Sequence, residues 1–280
     1  MEILRSRAAI ENYIKRQKQN GNRIGFAPTM GALHDGHLSL YRKAEAENDI
    51  VISSIFINPT QFNNPDDLAK YPRTEEADIK LLEGAGVDAV YLPRIEDLYP
   101  DGAASRHYDY DGLEHQMEGK FRPGHFDGVG TVVETLLRQV QPDRAYFGEK
   151  DFQQLAIIRK LQQQLELPVA IEAVEIRREP GGLAMSSRNV RLSEEQRAAA
   201  VVIYETLLKV RDWFKVISID EIQQRVAEIF SSVEGFRLEY FTIADEETLR
   251  ETDFFYTGHN YRAFIAVFAG DIRLIDNIAL

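Results

Sequence analysis

Cysteine is absent from the 280-residue chain, which excludes disulfide bonds, a thiolate nucleophile and any cysteine-ligated metal centre. No run of apolar residues approaches the roughly 18 needed to cross a bilayer, and the first residues lack the apolar stretch of a secretory signal. Because 44% of the residues are hydrophobic, the chain can still bury a substantial core. We therefore expect a globular protein of the cytoplasm that makes no contact with membranes.

Basic residues are few relative to acidic ones, since 33 Lys and Arg against 45 Asp and Glu give a formal net charge of −12. Binding to nucleic acid needs Lys and Arg clustered on one face, so this balance argues against a nucleic-acid partner. A nucleotide remains compatible with the charge, because a few converging cationic groups and backbone donors suffice to bind a triphosphate. The expected partners are therefore small molecules.

Strand and helix patterns alternate through the first 175 residues. A short strand is predicted over residues 23–27, ending at a proline, and the apolar, β-branched run 49–57 is typical of a strand buried in a parallel sheet. This alternation predicts βαβ units. Ligands bind beyond the carboxyl ends of the strands in such sheets, where the sequence places the loops 26–37, 58–65 and 148–154.

The pattern changes after a Pro-Gly-Gly segment at residues 180–182. One helix is predicted over residues 194–214, and further elements follow: a helix over 219–230 and strands over 236–243, 261–268 and 272–278. The fold class predicted is α/β, a Rossmann-like doubly wound parallel sheet with a smaller α+β C-terminal domain. We place the two domains at residues 1–176 and 177–280.

Two histidines, His34 and His37, lie on either side of a glycine in a loop that precedes a helical pattern. The first turn of a helix offers unpaired N–H groups to an anion, and imidazoles can stabilise the charge that grows during phosphoryl transfer. Zinc-binding pairs are usually spaced i, i+4 with a Glu between, and the other histidines are scattered. We favour phosphate contact, with a metal site or incidental loop histidines as the alternatives.

Three further segments carry side chains suited to the same chemistry. Lys150 lies in a turn between a strand and a helix, where it can reach a phosphate. The hydroxyls of Ser186 and Ser187 and the guanidinium of Arg188 also suit phosphate oxygens. Gln61 follows the most apolar strand and can both donate to and accept from a ligand. Each has an ordinary alternative: an exposed helix start, a helix cap with a surface Arg, or a strand-end turn.

Six segments resemble the pantothenate synthetase family in their residues, order and spacing. They are residues 28–37, 54–62, 71–74, 122–129, 147–154 and 185–189. The first and last also resemble the HIGH and KMSKS signatures of the class I synthetase and nucleotidyltransferase superfamily. Because the six segments extend over nearly the whole chain in register, the sequence is identified as a member of this family.

The resemblance implies the ATP-dependent condensation of (R)-pantoate with β-alanine to (R)-pantothenate, a step towards coenzyme A. AMP and diphosphate would be released, and pantoyl adenylate would be the enzyme-bound intermediate. The family further implies Mg²⁺ as the cofactor, a Rossmann-like domain that binds ATP and pantoate, a C-terminal lid domain and a homodimer.

The resemblance also implies roles for individual residues. The catalytic set would be His37, the family's proton donor, with His34, Lys150, Ser186, Ser187 and Arg188. The ATP site would comprise Met30, Gly31, Ala32, Leu33, His34, Asp35, Gly36, His37, Gly148, Glu149, Lys150, Asp151, Arg177, Met185, Ser186, Ser187 and Arg188. Pantoate would be held by Gln61 and Gln154, with Val129, Val132 and Val133 on its gem-dimethyl group. Gln61 would also face β-alanine, and Asp78 would lie near Mg²⁺.

Three other functions are weighed against this one. A related nucleotidyltransferase that stops at nucleotide transfer is disfavoured by Gln61, Gln154 and residues 122–129, which resemble a pantoate site. A tRNA-binding remnant is disfavoured by the acidic balance and the lack of an anticodon-binding extension, and a non-catalytic nucleotide-binding module by the complete set of His, Lys, Ser and Arg. The chain departs from the family pattern at Arg177 and at Gly181, and we expect Arg177 to contact adenine through its backbone.

Overall fold

The computed structural model describes residues 1–63 and 65–280. Asn64, which belongs to the predicted ligand loop 58–65, therefore lies outside the described residues. The chain divides into two compact units, Met1–Glu149 with Gln153–Glu175 and Lys150–Phe152 with Ile176–Leu280. The second unit thus begins one residue before the predicted boundary and also includes residues 150–152, which the sequence analysis assigns to the first domain.

The first unit contains a six-stranded parallel sheet. Its strands are β1 (Glu2–Leu4), β2 (Ile24–Thr29), β3 (Ile50–Ile55), β4 (Ala89–Tyr91), β5 (Arg144–Gly148) and β6 (Ala170–Val174). They lie in the order β1-β4-β3-β2-β5-β6, so the chain proceeds from β2 to β3 and β4 on one side, whereas β5 and β6 lie on the other. This arrangement confirms the predicted doubly wound sheet and places its switch point between β2 and β5.

Helices connect and flank these strands. They are α1 (Arg7–Gln19), α2 (Asp35–Glu47), α3 (Pro65–Lys70), α4 (Glu75–Gly84), α5 (Ile95–Leu98), α6 (Met117–Phe121), α7 (His125–Val140) and α8 (Phe152–Gln164), with 3₁₀ turns at Pro59–Gln61, Leu113–His115 and Glu149–Asp151. Apolar side chains of α2 and α4, including Leu40, Ala44 and Leu82, pack with Val51 and Val90 of the sheet. Removing this apolar surface from water stabilises the unit at about 25 cal/mol per Å².

The second unit has an α+β architecture. It contains the helices α9 (Glu194–Ala199), α10 (Val201–Trp213) and α11 (Ile219–Ser231) and the strands β7 (Phe236–Asp245), β8 (Tyr261–Ala269) and β9 (Ile272–Ala279). The strands form an antiparallel sheet in the order β7-β8-β9. Buried residues of α10 and α11, such as Leu207 and Ile222, form a core with Ile265 and other residues of β8. The predicted α+β class of the C-terminal region is confirmed.

The helix predicted over residues 194–214 is interrupted, and in this respect the prediction is wrong. Helix α9 ends at Ala199 and α10 begins at Val201. The N–H of Ile203 bonds to the carbonyl of Ala200 at 3.1 Å, a tighter i+3 pattern than that of an α-helix. Helix α10 buries Ile203 and Leu207 at helical spacing whereas α9 buries no side chain, so the periodicity that predicts α10 does not locate the break.

In the part of the chain that the structure describes, every helix is too short or too polar to span a membrane.

Candidate active site

The segments that follow β2, β3 and β5 lie at one edge of the parallel sheet. Thr29 at the end of β2 is in register with Ile55 at the end of β3, and Phe26 of β2 pairs on its other side with Ala145 of β5. The parallel direction of all three strands therefore places the loops after them at the carboxyl edge, where ligands of doubly wound sheets bind.

The loop after β2 turns through two consecutive left-handed residues, Gly31 with φ 85° and Ala32 with φ 51°. A Cβ atom at Gly31 would lie 3.0 Å from an oxygen of Asp78 and 3.1 Å from a methyl of Ile55, so only glycine fits there without displacing its neighbours. A left-handed alanine is uncommon and persists only where its surroundings hold it. The turn therefore needs support from outside its own sequence.

The carboxylate of Asp78 on α4 supplies that support. Its side chain is buried, with 2% of the residue exposed, and accepts hydrogen bonds from the N–H groups of Ala32 at 2.9 Å and Leu33 at 2.8 Å. The Thr74 hydroxyl donates a third bond at 3.0 Å. Both carboxylate oxygens thus fix the backbone of the turn, and the described residues form no cluster of three His, Asp or Glu suited to a metal. This arrangement does not fit Asp78 as a Mg²⁺ ligand.

His34 and His37 cap the N-terminus of α2 reciprocally. Nδ1 of His34 accepts a hydrogen bond from the N–H of Gly36 at 3.1 Å, and Nδ1 of His37 accepts one from the N–H of His34 at 3.3 Å. A ring nitrogen that accepts such a bond carries no proton, so both contacts favour the tautomer with its proton on Nε2. The turn thus combines two imidazole donors with a helix N-terminus, where backbone N–H groups favour an anion.

Gln61, at the end of the 3₁₀ turn after β3, is 8% exposed and held at both ends of its amide. Its Oε1 accepts from Nδ2 of Asn58 at 3.1 Å, and its Nε2 donates to Sδ of Met30 at 3.0 Å. Two of the predicted site residues, Gln61 and Met30, are therefore in direct contact. Asn58, buried to 1% exposure, also donates to the carbonyl of Gly128 at 3.1 Å and accepts from the Tyr99 hydroxyl at 2.7 Å. Burial raises the pKa of Tyr99, which keeps this hydroxyl protonated as a donor.

Helix α7 approaches the backbone of the same turn closely. A Cβ atom at Gly128 would lie 2.5 Å from the carbonyl oxygen of Thr60, so the contact requires glycine. The carbonyl of Gln61 accepts hydrogen bonds from Nδ1 of His125 at 2.8 Å and from the Arg122 guanidinium at 3.2 Å. The family-like segment 122–129 therefore positions Gln61 through hydrogen bonds to its backbone carbonyl.

Sequence reasoning missed the roles of Asn58 and His125 in this network. Asn58 directly precedes a proline at the end of a strand, and this local signal indicates a turn-forming side chain. The bond from His125 to residue 61 joins positions 64 apart in the sequence, and no local pattern reports it.

The predicted pantoate residues on α7 are buried on one face of that helix. Val129, Val132 and Val133 are 2%, 6% and 6% exposed, and their i, i+3, i+4 spacing also fits an ordinary core face. Gln154 on α8 is half-buried, whereas its neighbour Gln153 is 4% exposed and donates to the carbonyls of residues 113 and 116 at 2.8 and 2.9 Å. Of the two glutamines, Gln153 therefore has a structural role.

In the second unit, a hairpin leads from Arg177 to a 3₁₀ turn at Ser187–Arg191. The carbonyl of Arg177 accepts from the N–H of Met185 at 3.0 Å, and Oγ of Ser186 accepts from the N–H of Arg188 at 3.2 Å. Ser186 therefore caps this turn, which is the ordinary structural role that the sequence analysis gives as the alternative to phosphate binding. Asn189, at 2% exposure, fixes the base of the turn by donating to the Glu179 carboxylate at 2.8 Å.

Lys150 makes its backbone contact within the second unit. Its carbonyl accepts a hydrogen bond from Nδ2 of Asn277 at 3.0 Å. Its side chain is 18% exposed, and Nζ lies 3.5 Å from the carboxylate of Asp151. The lysine predicted to bind phosphate is therefore held at its backbone, with its ammonium group beside an acidic neighbour.

Comparison with known proteins identifies relatives along the entire chain. Residues 2–279 match the family model described as pantoate-beta-alanine ligase. The chain is 51% identical over 283 residues to the pantothenate synthetase of Flavobacterium psychrophilum, covering 100% of both sequences. It is 45% identical over 278 residues to that of Bacteroides fragilis, covering 99% of this chain and 98% of the relative.

Solved structures agree with these matches. The pantothenate synthetase of Thermus thermophilus superposes with a TM-score of 0.91 at 42% identity, covering 99% of both chains. The pantoate-beta-alanine ligase of Francisella tularensis, complexed with beta-gamma ATP and beta-alanine, superposes with a TM-score of 0.83 at 37% identity, covering 100% of this chain and 97% of that one. The family and the ligase activity predicted from the six segments are confirmed. The chain belongs to the pantoate–β-alanine ligase family, and its reaction is the ATP-dependent condensation of pantoate with β-alanine.

Proposed function

We propose that the chain carries out this condensation in two steps through pantoyl adenylate. In the first step a carboxylate oxygen of pantoate attacks the α-phosphorus of ATP, a P–O bond forms, and the bond to diphosphate breaks. In the second step the amine of β-alanine attacks the acyl carbon and loses a proton as the C–O bond to AMP breaks. Catalysis of the first step then rests on positioning the in-line groups and on stabilising charge.

The reciprocal capping of α2 by His34 and His37 is the observation that carries this proposal. Nδ1 of each ring lies against a backbone N–H beside the switch point of the sheet, and we therefore place the ring protons on Nε2. Donors that are already oriented stabilise developing phosphate charge without reorganising during the reaction. The neutral tautomer favours His37 as a hydrogen-bond donor to the phosphates, because a neutral ring that released its Nε2 proton would become an imidazolate.

The proposed pantoate site rests on Gln61 and on the apolar face of α7. We assign pantoate to Gln61, Gln154 and the valines Val129, Val132 and Val133, and β-alanine to Gln61. The fixed amide of Gln61 at the carboxyl edge of the sheet supports the assignment, since its bonds to Asn58 and Met30 define its orientation. A methyl-bearing substrate would gain about 0.8 kcal/mol for each CH₂-sized group buried against apolar side chains.

The remaining ATP contacts are proposed from the family resemblance. They comprise residues 30–37, Gly148, Glu149, Lys150, Asp151, Arg177, Met185, Ser186, Ser187 and Arg188. The charges of Lys150 and Arg188 would neutralise phosphate oxygens. The engaged carbonyl of Arg177 supports a contact with adenine through backbone rather than side-chain groups.

We further propose that Mg²⁺ enters with ATP, that the protein is a homodimer and that it works in the cytoplasm. The match to an ATP-using ligase family supports the first point, and a metal bound to phosphates needs few protein ligands. The homodimer is proposed from the family resemblance, and the cytoplasm from the family's biosynthetic role. Light scattering on the purified chain measures the dimer directly, and a monomeric mass would contradict that part.

Isotope exchange tests the adenylate. The protein with ATP, Mg²⁺, pantoate and labelled diphosphate, without β-alanine, should incorporate label into ATP. Exchange should vanish when pantoate is omitted, and net AMP release should then require β-alanine. Folded protein that forms pantothenate but shows no exchange would contradict the two-step route.

A further inference from the structure

The turn that carries Lys150 is tied to the antiparallel sheet of the second unit. We propose that Asn277 on β9 and Arg262 on β8 are positioning residues that set Lys150 for phosphate contact. This inference rests on the proposed role of Lys150 in binding ATP. The contacts that carry it all lie within the second unit, which comprises residues 150–152 and 176–280.

The side chain of Asn277 is fixed at both ends of its amide. It is 2% exposed, its Nδ2 donates to the Lys150 carbonyl at 3.0 Å, and its Oδ1 accepts from Nη1 of Arg262 at 2.6 Å. A guanidinium can only donate and a carbonyl can only accept, so the reversed amide would lose both bonds. Arg262 therefore determines which end of Asn277 faces the lysine turn.

Arg262 also holds the other end of the turn through an aromatic ring. Its guanidinium lies 4.0 Å from the centre of the Phe152 ring, and its Nε donates to Glu246 at 2.8 Å. Phe152 packs in addition on Phe264 of β8, with ring centres 5.9 Å apart. Lys150 is thus flanked by a backbone bond at its own carbonyl and by a buried cation–π contact two residues later.

The neighbouring residue of β9 holds the segment that leads to Ser186–Arg188. Asp276, 4% exposed, accepts two hydrogen bonds from Arg178 at 2.6 and 3.0 Å and a third from the N–H of Asn277 at 2.8 Å. Arg178 lies in the hairpin before Ser186, with its guanidinium 3.7 Å from the ring centre of Tyr204. One dipeptide of β9 therefore fixes both segments to which the second unit's phosphate contacts are assigned.

These contacts tie residues 150–152 to the antiparallel sheet. Misplacing a phosphate-binding group by about 1 Å can cost about 10²-fold in rate. The function of the Asn277 bond is therefore to hold Lys150 in register with Ser186 and Arg188, and its loss should act through Lys150.

The test combines a double-mutant cycle with hydrogen exchange. Asn277→Asp keeps an acceptor for Arg262 but replaces the donor to the Lys150 carbonyl, whereas Asn277→Ala removes both. Both variants, Lys150→Ala and the corresponding double variants are assayed for pantoate-dependent diphosphate exchange. The matched control is Thr242→Val on β7 of the same sheet, which removes a buried hydroxyl that makes no hydrogen bond within the described residues.

We expect both Asn277 variants to lower the exchange rate about 10- to 100-fold and to leave it unchanged in the Lys150→Ala background. Deuterium uptake by peptides covering residues 148–155 should rise in the Asn277 variants and not in Thr242→Val. Wild-type exchange rates in folded Asn277 variants, or a full Asn277 effect without Lys150, would overturn the inference. If the wild type itself shows no exchange, the proposed two-step function fails. Independently of activity, unchanged deuterium uptake in the Asn277 variants would refute the role of Asn277 in holding the lysine turn. Should Asn277→Ala not fold, Asn277→Asp and Arg262→Lys provide the same comparison.

Discussion

Nδ1 of His37 accepts a hydrogen bond from the backbone N–H of His34 at 3.3 Å, while the ring of His34 caps the next residues of the same helix. The two ring centres lie 4.1 Å apart. Each histidine thus helps to orient the turn on which the other lies. Together with the Asp78 bonds to Ala32 and Leu33, this pair orders the N-terminus of α2, to which we assign phosphate contacts.

Replacing His37 should separate catalysis from folding. His37→Ala removes one oriented donor, and we expect pantoate-dependent exchange to fall about 10²- to 10³-fold. The lost cap should lower the free energy of unfolding by only about 1 kcal/mol. Diphosphate exchange and urea unfolding measure the two quantities on the same preparation.

His115→Ala is the matched control for this substitution. His115 is an exposed histidine of the same unit, with 76% of its side chain accessible, and its loss should change neither rate nor stability. Nitrogen NMR of the imidazoles should show His34 and His37 protonated at Nε2. A resting His37 protonated at Nδ1, or His37→Ala with unchanged turnover, would remove the residue from its proposed role.

Asp78→Asn distinguishes a positioning role from a metal-binding one. The amide cannot accept the N–H bonds of both Ala32 and Leu33 without turning its own N–H₂ towards one of them. We expect stability to fall by about 1–3 kcal/mol, because a buried donor loses its partner. The exchange rate should fall as well, with an unchanged dependence on Mg²⁺ concentration.

Glu76→Gln, a substitution of an exposed acid on the same helix, controls for the change in charge. Magnesium titrations of exchange activity in both variants provide the comparison. If Asp78→Asn weakens the apparent affinity for Mg²⁺ without destabilising the chain, the carboxylate is a metal ligand after all.

Gly128→Ala should disturb Gln61 through the backbone. The added Cβ atom would lie 2.5 Å from the Thr60 carbonyl oxygen, so α7 or the turn after β3 must move. Overpacking of this kind costs about 1–3 kcal/mol, and the shift at Gln61 should raise the KM for pantoate more than it lowers kcat. Steady-state kinetics with varied pantoate measure this split.

Gly84→Ala serves as the control, since a Cβ atom there meets no other atom within 4 Å and Ala favours a helix. This variant should be neutral or slightly more stable. An unchanged KM for pantoate in folded Gly128→Ala would show that the close approach of α7 does not position Gln61.

Much of the parallel sheet could be predicted because its strands form continuous apolar runs. The end of β2 could not, since the proline predicted to end it at residue 28 lies within Ile24–Thr29. In the described residues, β2 pairs with β5 only through Gly25 and Phe26. Pro28 lies beyond these positions, so its missing N–H costs no bond to β5. In α1, the buried residues Ile10, Tyr13, Ile14 and Gln17 have helical spacing, a local pattern that is typical of an amphipathic helix.

The individual site residues could be predicted from motifs, but the hydrogen bonds that connect them could not. Local spacing and family-like segments placed His34, His37 and Gln61 near ligands. The partner of the turn is Asp78, 46 residues from Ala32, and its contacts go to backbone N–H groups that no side-chain pattern encodes. Helix α2 likewise begins at Asp35, within the segment that the sequence analysis places in a loop, because histidine caps are rarer than Ser or Asp caps and give no start signal.

A last prediction concerns the pH dependence of stability in the second unit. Burial of the Asp245 carboxyl opposes its ionisation, but hydrogen bonds from Thr248, Glu247 and His259 prevail and hold its pKa below the usual value. A depressed carboxyl pKa stabilises the fold above the pKa of the unfolded chain, about 4, and this contribution is lost as the pH falls through the lower folded value. Asp245→Asn should therefore be less stable than wild type at pH 7, and the difference should shrink progressively below about pH 4. Urea unfolding between neutral and acidic pH measures this, with Asp253→Asn, at an exposed position of the same segment, as the control. A stability difference that is constant with pH would show that the Asp245 contribution comes from its shape and not from its charge.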